Sequence, residues 1–304
     1  MKIQQNISLK NKNTLGIHCQ AEFYVEVESE NDWDEVFAWI QEISPSPSLK
    51  KRGIENIRVL GLGSNILLPD GELPGLTIVL KNNHCTVLDK KNRDTAQVKI
   101  GAGALLSAVI IQLSNLGIDL SPLAGFPSTI GGAVRGNAGL KGVALGDFLL
   151  EATIIDLKTG EKELWKKDDF HFSYRSSELK KHPNKIFWEG VFEIPKSQES
   201  PEKFSDIIRK RSETQPYGNS SGCFFKNPVN DKNNPEKFAA GYLIDQCGLK
   251  GKQIGGAKIS EKHANFFMNA GGASQQDFLE LISFSQNEVR KKFEIELELE
   301  IQVM

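Results

Sequence analysis

A run of glycines near the middle of the chain constrains the fold more than any other feature. Five glycines fall within the fifteen residues 125–139. Glycine has no Cβ and tolerates positive φ, so the backbone can turn tightly and its N–H groups can converge on an anion such as a pyrophosphate. The segment matches neither the nucleoside-triphosphate loop nor G-x-G-x-x-G. A packed loop and an anion-binding loop are both open at this point.

The composition is that of a globular protein. The 304 residues exceed one average domain, which predicts two or three core-forming units. The net charge of −2 and the sequence pI of about 6.3 provide no basic field that would attract nucleic acid. The longest apolar runs are too short for a membrane span, and the N-terminal residues lack the apolar core of a signal peptide. We therefore expect a cytoplasmic protein without nucleic-acid or membrane partners.

The cysteines and histidines argue against a disulfide framework and against a metal. Cys19, Cys85, Cys223 and Cys247 lie far apart, with no C-x-x-C pair. This spacing is typical of reduced thiols in the cytosol. The histidines are scattered and form no H-x-x-x-H or H-E-x-x-H motif, so we expect no metal site.

Hydrophobic periodicity predicts an α+β protein with mixed sheets in at least two units. Alternating or continuous apolar residues predict strands at 25–28, 57–60, 76–80, 97–100, 152–157, 161–165 and 187–192. Helical spacing predicts helices at 33–43, 105–116, 204–211 and from 275 onward.

Short signals mark where three of these helices begin or end. Asn31 or Asp32 is expected to cap the first helix, which Pro45 and Pro47 would end. Gly117 fits the C-terminal end of the second. A capping box at 274–277 opens the last helix, whose shared face contains Phe278, Leu281, Ile282, Ser285 and Val289.

The C-terminal segment alternates strictly between apolar and polar residues from 293 to 302. This pattern predicts a terminal strand with the apolar residues on one face. Glu298 and Glu300 would lie on the other face, roughly 7 Å apart. Taken alone, a glutamate here is most simply the solvated face of a strand.

Eleven short segments, spread in order over nearly the whole chain, closely resemble one enzyme family. That family is the UDP-N-acetylenolpyruvoylglucosamine reductases, also called UDP-N-acetylmuramate dehydrogenases. The segments are 13–16 (NTLG), 60–67 (LGLGSNIL), 101–103 (GAG), 123–139 (LAGFPSTIGGAVRGNAG), 174–176 (YRS), 215–216 (QP), 222–228 (GCFFKNP), 248–251 (GLKG), 254–257 (IGGA), 263–265 (HAN) and 297–300 (LELE).

The resemblance implies an FAD-binding domain of the vanillyl-alcohol-oxidase (PCMH) type with two α+β lobes, followed by a C-terminal α+β substrate-binding domain. We place the FAD-binding domain at 1–194, with lobes at about 1–80 and 81–194, and the C-terminal domain at 202–304. The polar stretch 195–201 separates them. The short segment 215–222 resembles the shorter subtype, which lacks the tyrosine loop of the longer one.

The resemblance also implies a reaction. NADPH reduces FAD, the flavin gives hydride to C3 of the enolpyruvyl ether on UDP-N-acetylglucosamine, and protonation at C2 gives UDP-N-acetylmuramate, a precursor of peptidoglycan. The implied cofactors are FAD and NADPH. The implied partner is a small UDP-sugar, bound by a monomer.

Three residues match the catalytic positions of the family. Arg175 matches the arginine of Tyr-Arg-x-Ser, and its guanidinium suits a carboxylate. Glu300 matches the second acid of Leu-Glu-Pro-Glu, with Leu299 in place of the proline; it would assist enolate stabilisation or proton delivery. Cys223 occupies the serine position of Gly-Ser-x-Phe. A thiol, with a pKa near ~8.5, is a stronger acid than an alcohol, so Cys223 is a candidate proton donor to C2.

The remaining predicted site residues bind the cofactor or the substrate. Cofactor binding is carried over to Gly61, Gly63, Ser64, Asn65, Gly103, Gly125, Pro127, Ser128, Thr129, Gly132, Asn137 and Gly139. Substrate binding is carried over to Lys226, Asn227, Arg211 and Tyr174.

Two alternatives stay open at the level of the sequence. One is another FAD-dependent oxidase or dehydrogenase of the same fold that acts on a different small molecule. The other is a flavin-binding protein without catalytic activity. The segment 222–228 and Glu300 favour the nucleotide-sugar reductase over both.

Overall fold

The computed structural model describes residues 2–43, 56–89, 94–140, 142–228 and 238–304. Its strands are β1 Gln4–Ser8, β2 Cys19–Val27, β3 Ile57–Val59, β4 Ile66–Leu67, β5 Gly71–Leu80, β6 Cys85–Asp89, β7 Thr95–Gly101, β8 Gly139–Leu140, β9 Val143–Ala144, β10 Leu149–Asp156, β11 Lys162–Lys166, β12 Lys185–Pro195, β13 Ser220–Cys223, β14 Gln253–Ile254, β15 Ala257–Ile259, β16 Phe266–Asn269 and β17 Gln302–Val303. Its α-helices are α1 Glu30–Ile43, α2 Leu106–Ser114, α3 Ile130–Gly136, α4 Leu145–Phe148, α5 Ser200–Thr214, α6 Ala240–Gln246 and α7 Gln275–Phe293. The predicted α+β class is confirmed.

The described chain divides into two compact units. Unit 1 comprises residues 1–7, 21–62 and 74–209, and unit 2 comprises residues 8–20, 63–73 and 210–304. The boundary along the chain falls inside α5, after Arg209. The predicted FAD-binding and substrate-binding domains are a functional division, and their bounds stay predictions.

Unit 1 is organised around a five-stranded antiparallel sheet of order β11-β10-β12-β7-β6. It also holds most of a four-stranded sheet of order β1-β2-β5-β3. The strongly apolar α2 packs into the core of this unit with Leu106, Val109, Ile110 and Leu113 buried. Burying apolar surface stabilises the folded state by about 25 cal/mol per Å². The burial of this helix therefore contributes to the stability of the unit.

Unit 2 contains the four-stranded sheet β13-β16-β15-β14 and the parallel pair β17-β4. Phe224 lies at the centre of its aromatic core, with its ring centroid 4.5 Å from Phe267 and 5.6 Å from Phe278. Phe278 projects from α7, and the predicted face of that helix is buried as expected. The capping box of Ser274 and Asp277 is also confirmed.

Two local predictions were wrong or incomplete. The first helix is capped by Ser29, because its Oγ accepts from Asp32 N at 3.2 Å while Asp32 Oδ2 accepts from Ser29 N at 3.0 Å. Asp32 is therefore the third helical residue of a capping box, where its backbone is already helical. The second helix was predicted over 105–116, with Gly117 at its C-terminal end. The helix ends earlier, at Ser114, and Gly117 lies beyond it with φ +69°. Pro45 and Pro47 lie outside the described residues.

The predicted terminal strand over 293–302 is wrong as a regular strand. Helix α7 continues to Phe293, Glu294 adopts φ +58°, and a ladder forms only at Gln302–Val303, with an isolated bridge between Leu299 and Phe225. The alternation still predicts burial, since Leu297 and Ile301 are buried and Glu296 and Glu298 are exposed. The period of two correctly indicated which side chains are buried, but hydrogen-bond partners decide whether a segment forms a ladder.

Candidate active site

The glycine-rich segment forms a loop followed by the short helix α3. Thr129 caps the helix, with its Oγ1 accepting from Gly132 N at 3.3 Å. The amides of Ile130 and Gly131 donate to Ala104 O and Ala102 O, each at 2.9 Å. A Cβ on Gly131 would lie 3.1 Å from the Ala102 side chain. Close packing against Ala102 therefore accounts for Gly131, whose amide is already bonded, and the amides that stay available to an anion are those of the loop before the helix.

That loop offers donors suited to a pyrophosphate. Gly125 has φ +80°, and among the described residues no protein acceptor takes the amides of Ser128 and Thr129. A Cβ on Gly61 would lie 2.9 Å from Thr129 Oγ1, so two predicted cofactor segments meet here within unit 1. Backbone N–H groups without a protein acceptor, next to glycines, are typical of sites that bind phosphate. The residues present thus fit the flavin cofactor.

Gly103 is a glycine for a different reason. Its amide donates to Asn82 Oδ1 at 3.1 Å, and a Cβ there would lie 2.4 Å from Leu80 O. Asn82 is buried and also donates from Nδ2 to Trp188 O at 2.6 Å. The close approach to Leu80 O is enough to require glycine at this position. Contact with a cofactor is not needed to explain it.

Asn137 and Gly139 follow α3. Asn137 has φ +43°, its Nδ2 donates to Ser173 O at 2.9 Å, and its Oδ1 accepts from Gly146 N at 3.1 Å. A Cβ on Gly139 would lie 2.7 Å from Val143 O. Asn137 thereby ties the end of the glycine-rich segment to the turn that carries Arg175.

Arg175 sits in a tight turn within unit 1. Ser173 and Ser176 exchange two backbone hydrogen bonds of 3.1 Å, and Arg175 between them has φ +56°. Lys180 Nζ donates to Arg175 O at 2.7 Å. The guanidinium carbon lies 5.7 Å from the ring centroid of Phe126, inside the range of a cation–π contact. The predicted cofactor loop and the predicted catalytic arginine are thus adjacent.

In unit 2, the structure brings the segments of Cys223 and Glu300 together. Cys223 ends β13, and Phe224 O next to it accepts from Glu300 N at 2.8 Å. Asn65 Nδ2 donates to Glu300 O at 3.1 Å. Both sides of the Glu300 backbone are therefore held by residues from other parts of the chain.

Gly63 and Ser64 also belong to unit 2. Gly63 has φ +63°, and a Cβ there would lie 2.4 Å from Lys12 O. Its carbonyl accepts from Thr14 N at 3.1 Å. The glycine is required by this close approach, while Ser64 is half-buried beside Asn65.

The predicted substrate residues have mixed environments. Lys226 Nζ forms an ion pair with Glu298 at 3.0 Å, and Asn227 Oδ1 accepts from Ala240 N at 3.0 Å. Arg211 lies in α5 and is half-buried. Tyr174 is exposed beside Arg175, whose guanidinium carbon lies 5.8 Å from the tyrosine ring centroid.

Comparisons with known proteins bear on the whole chain. Residues 214–304 match the family model described as UDP-N-acetylenolpyruvoylglucosamine reductase, C-terminal domain, and residues 21–163 match the model described as FAD binding domain. The UDP-N-acetylenolpyruvoylglucosamine reductase of Bacillus pumilus is 33% identical over 311 residues, covering 100% of this chain and 94% of the relative. The chain belongs to the UDP-N-acetylenolpyruvoylglucosamine reductase family. The family and the FAD-binding fold predicted from the sequence are confirmed.

Further members give the same result. The reductase of Protochlamydia amoebophila is 35% identical over 302 residues, covering 98% of this chain and 92% of that protein. The crystal structure of the reductase from Thermus caldophilus superposes with a TM-score of 0.77 at 30% identity, covering 100% of this chain and 99% of the other. The likeness therefore extends over both compact units of this family member.

Two buried asparagines of this reductase-family site were not predicted as site residues. Asn82 holds Gly103, and Asn265 holds the segment after Cys223 through both ends of its carboxamide. Asn265 stood within a segment that resembles the family, but no periodicity or spacing indicated its partners. Only the folded structure shows which backbone a buried amide satisfies.

The ionisable groups near the site include one perturbed histidine. Burial lowers the pKa of His263, with the nearby charge of Lys250 acting in the same direction. Its Nδ1 accepts from Asn265 N at 3.2 Å, which requires the neutral imidazole at that nitrogen. Burial also raises the pKa of the Cys85 thiol to about 11.

Within residues 2–43, 56–89, 94–140, 142–228 and 238–304, no group of three or more His, Cys, Asp or Glu side chains is arranged to hold a metal ion. In those ranges, no helix is both long and apolar enough to cross a membrane.

Proposed function

We propose that this chain catalyses the reaction of its family, the NADPH-driven, FAD-dependent reduction of UDP-N-acetylglucosamine enolpyruvate to UDP-N-acetylmuramate for peptidoglycan synthesis. The full-length relationship to curated reductases at 33% identity carries this proposal. The side chains that match the family's catalytic positions, Arg175 and Glu300, are both retained. Cys223 replaces the serine that the family commonly has.

The FAD cofactor is held, in this proposal, by the loop before α3 and by the loop at 61–65. The amides of Ser128 and Thr129 bind the pyrophosphate, and Gly61 allows the cofactor to approach the backbone closely. When bound, FAD accepts hydride from NADPH and supplies it to C3 of the enolpyruvyl group. The protein contributes binding, orientation and charge.

Arg175 and Glu300 act on the enolpyruvyl carboxylate and on C2. Hydride addition at C3 places negative charge on C2 and its carboxylate, so a fixed cation lowers the barrier. The guanidinium of Arg175 binds that carboxylate in a bidentate manner, and the αL turn fixes its direction. Glu300, held at both sides of its backbone, assists enolate stabilisation or the delivery of the proton.

Cys223 donates the proton to C2. The thiol lies at the end of β13, next to the residue that binds Glu300 N. A thiol is acidic enough to protonate an enolate carbon and is then reprotonated from solvent. Lys226, Asn227, Arg211 and Tyr174 bind the UDP-sugar. The cytoplasm is the expected location and the monomer the expected state.

The test is the visible spectrum of the purified protein through one cycle. An oxidised flavin band is expected, which NADPH bleaches and the enolpyruvyl UDP-sugar restores. If other small acceptors restore the flavin band and the UDP-sugar does not, another oxidase or dehydrogenase of this fold is favoured. A flavin that binds but never turns over would favour a non-catalytic protein. A colourless protein that cannot be reconstituted with FAD would contradict the proposal entirely.

A further inference from the structure

Asn265 makes an unusual pair of contacts with one residue of the candidate site. Its side chain is buried, with 1% of the residue exposed. Oδ1 accepts from Phe225 N at 3.0 Å, and Nδ2 donates to Phe225 O at 2.8 Å. The backbone carbonyl of Asn265 accepts in addition from Phe224 N at 2.9 Å. One asparagine thereby satisfies three polar groups of two consecutive residues.

These contacts take over where the regular sheet stops. The ladder between β13 and β16 has a register shift between Ser220 and Cys223, and it ends at the pair Cys223–Phe266. Gly222, with φ +73°, lies within that irregular stretch. Just beyond Cys223, Phe224 N is still bound by the backbone carbonyl of Asn265. At Phe225 the carboxamide of Asn265 takes the place of a backbone partner on this side, binding both Phe225 N and Phe225 O.

The two residues held by Asn265 connect both predicted catalytic groups of unit 2. Cys223 directly precedes Phe224, and Phe224 O accepts from Glu300 N at 2.8 Å. The Phe224 and Phe225 side chains are already anchored in the aromatic core, 4.5 Å and 5.8 Å from the Phe267 ring centroid. The carboxamide therefore adds a fixed backbone orientation to segments that apolar packing alone would bury.

We propose that Asn265 is a positioning residue for the protonation step, holding the Cys223 thiol in a fixed orientation relative to Glu300. The proposal rests on the proposed function. It assigns Asn265 no contact with substrate or cofactor; it acts through the backbone of Phe224 and Phe225. A displacement of about 1 Å at a reacting group is enough to slow a reaction roughly a hundredfold.

The first test measures Cys223 directly and does not depend on turnover. Asn265→Ser removes both carboxamide bonds, and alkylation of each cysteine by iodoacetamide is followed by peptide mass spectrometry. We expect Cys223 to react about tenfold faster as the segment opens locally. Cys247, whose pKa is raised by burial, serves as an internal reference that does not change.

The chain offers a matched control at the last residue of β16, the strand that Asn265 directly precedes. Asn269 is also an asparagine with both ends engaged, donating to Leu15 O at 2.8 Å and accepting from Gly271 N at 3.0 Å. Asn269→Ser should leave the alkylation rate of Cys223 at the wild-type value. Equal changes in Cys223 reactivity for the two variants would overturn the proposal, since loosening of the sheet in general would then explain both.

The second test separates the two half-reactions in a stopped-flow instrument. In Asn265→Ser, the rate of flavin reduction by NADPH should stay within about twofold of the wild-type rate. The rate of flavin reoxidation by the enolpyruvyl substrate should fall by about 10–100-fold. In a Cys223→Ala background the same change should slow reoxidation by less than about threefold, because the thiol it orients is gone. Independent, multiplying effects would contradict the proposal.

An isosteric variant provides a second measurement. Asn265→Asp keeps an acceptor for Phe225 N but, when ionised, replaces the donor to Phe225 O by a buried carboxylate oxygen, so changes of the same sign and at least the size of those in Asn265→Ser are expected. If the wild-type flavin is never reoxidised by the UDP-sugar, the proposed function fails. The alkylation test then still decides whether Asn265 holds Cys223.

Discussion

Arg175 holds a backbone conformation that most side chains avoid. A non-glycine residue in the left-handed region costs on the order of 1–3 kcal/mol, and it persists only when its surroundings determine it. Here the mutual hydrogen bonds of Ser173 and Ser176, and the bond from Lys180 Nζ to the Arg175 carbonyl, hold the turn. Such a residue is a frequent mark of function, which agrees with the role proposed for its guanidinium.

Arg175→Lys tests whether the fork of the guanidinium matters beyond its charge. Lysine keeps the charge and the αL backbone but binds a carboxylate as a point charge. We expect kcat/KM for the enolpyruvyl substrate to fall by about 10–100-fold, the equivalent of roughly 1.5–3 kcal/mol. Stopped-flow reduction by NADPH should not change. A variant with wild-type kcat/KM would remove Arg175 from the site.

Among the three predicted catalytic residues, Cys223 is the one that differs from the residue type that the family commonly has. Cys223→Ser supplies a hydroxyl proton at the same position, as the family commonly does, and should retain most turnover. Cys223→Ala has no proton to give, and we expect turnover to fall by about 10²–10⁴-fold. The flavin absorbance should be equal in both variants. Full activity of the alanine variant would rule out the proton-donor role.

His263 makes the stability of the fold depend on pH. Its pKa in the folded protein is lowered by burial, so near and below the unfolded value of about 6.5 the unfolded chain binds more protons than the folded one. This contribution to stability is lost as the pH falls below about 6.5. Between pH 7.5 and 5, the free energy of unfolding measured in urea should decrease less for His263→Gln than for the wild type. Parallel pH profiles would contradict this account.

At the scale of the element, local signals and long-range partners contribute differently. The capping box of Ser274 and Asp277 lies within four consecutive residues, and it is visible in the sequence because its geometry is local. The same carboxylate also accepts from Gly256 N at 3.0 Å, a contact the sequence does not indicate. The helix start was predictable, while its attachment to the rest of unit 2 was not.

Ser274→Ala measures the local part of this arrangement. The substitution removes the acceptor for Asp277 N, now at 3.1 Å, and should lower the free energy of unfolding by about 1 kcal/mol in urea titrations. Ser274→Asn, which retains a capping oxygen, should stay within about 0.5 kcal/mol of wild type. An alanine variant as stable as the asparagine variant would show that the cap does not limit stability.

In helix α3 and in the terminal segment, the sequence pattern does not predict the hydrogen-bond partners of the backbone. The glycines of 125–139 were compatible with a packed loop and with an anion-binding loop, and in α3 the amides of Ile130 and Gly131 donate to Ala104 O and Ala102 O. The alternation over 293–302 indicated a strand, but the neighbouring chain offers a bridge only near Leu299 and partners at Gln302–Val303. In both cases the backbone partner, which the sequence does not specify, decided the outcome.

For the whole molecule, we expect the cofactor to contribute to stability. A ligand that binds only the folded state stabilises it by RT ln(1 + [L]/Kd), about 2.7 kcal/mol at one hundred times Kd. FAD added to the flavin-stripped protein should therefore raise Tm with concentration. Riboflavin, which lacks the pyrophosphate, should raise it much less, because the loop at Ser128 and Thr129 would have no anion to bind. Equal shifts would contradict the assignment of that loop.

The sequence by itself determined the family, the α+β class, seven of the seventeen described strands and four of the seven described α-helices. These rest on periodicity, on local turn and cap signals, and on motifs that keep their order along the chain. It also marked Arg175, Cys223 and Glu300 through such motifs, and their catalytic roles stay predictions.

The tertiary structure decided which groups satisfy one another. It showed that Asn137 holds the turn of Arg175, that Asn65 holds Glu300, and that Asn265 holds the segment after Cys223. A buried polar group must find a partner or lose on the order of 1–3 kcal/mol. That partner is often distant along the chain, as it is for Asn65 and Glu300, which are 235 positions apart. Local sequence signals carry no record of such partners, because only folding brings them within hydrogen-bonding distance.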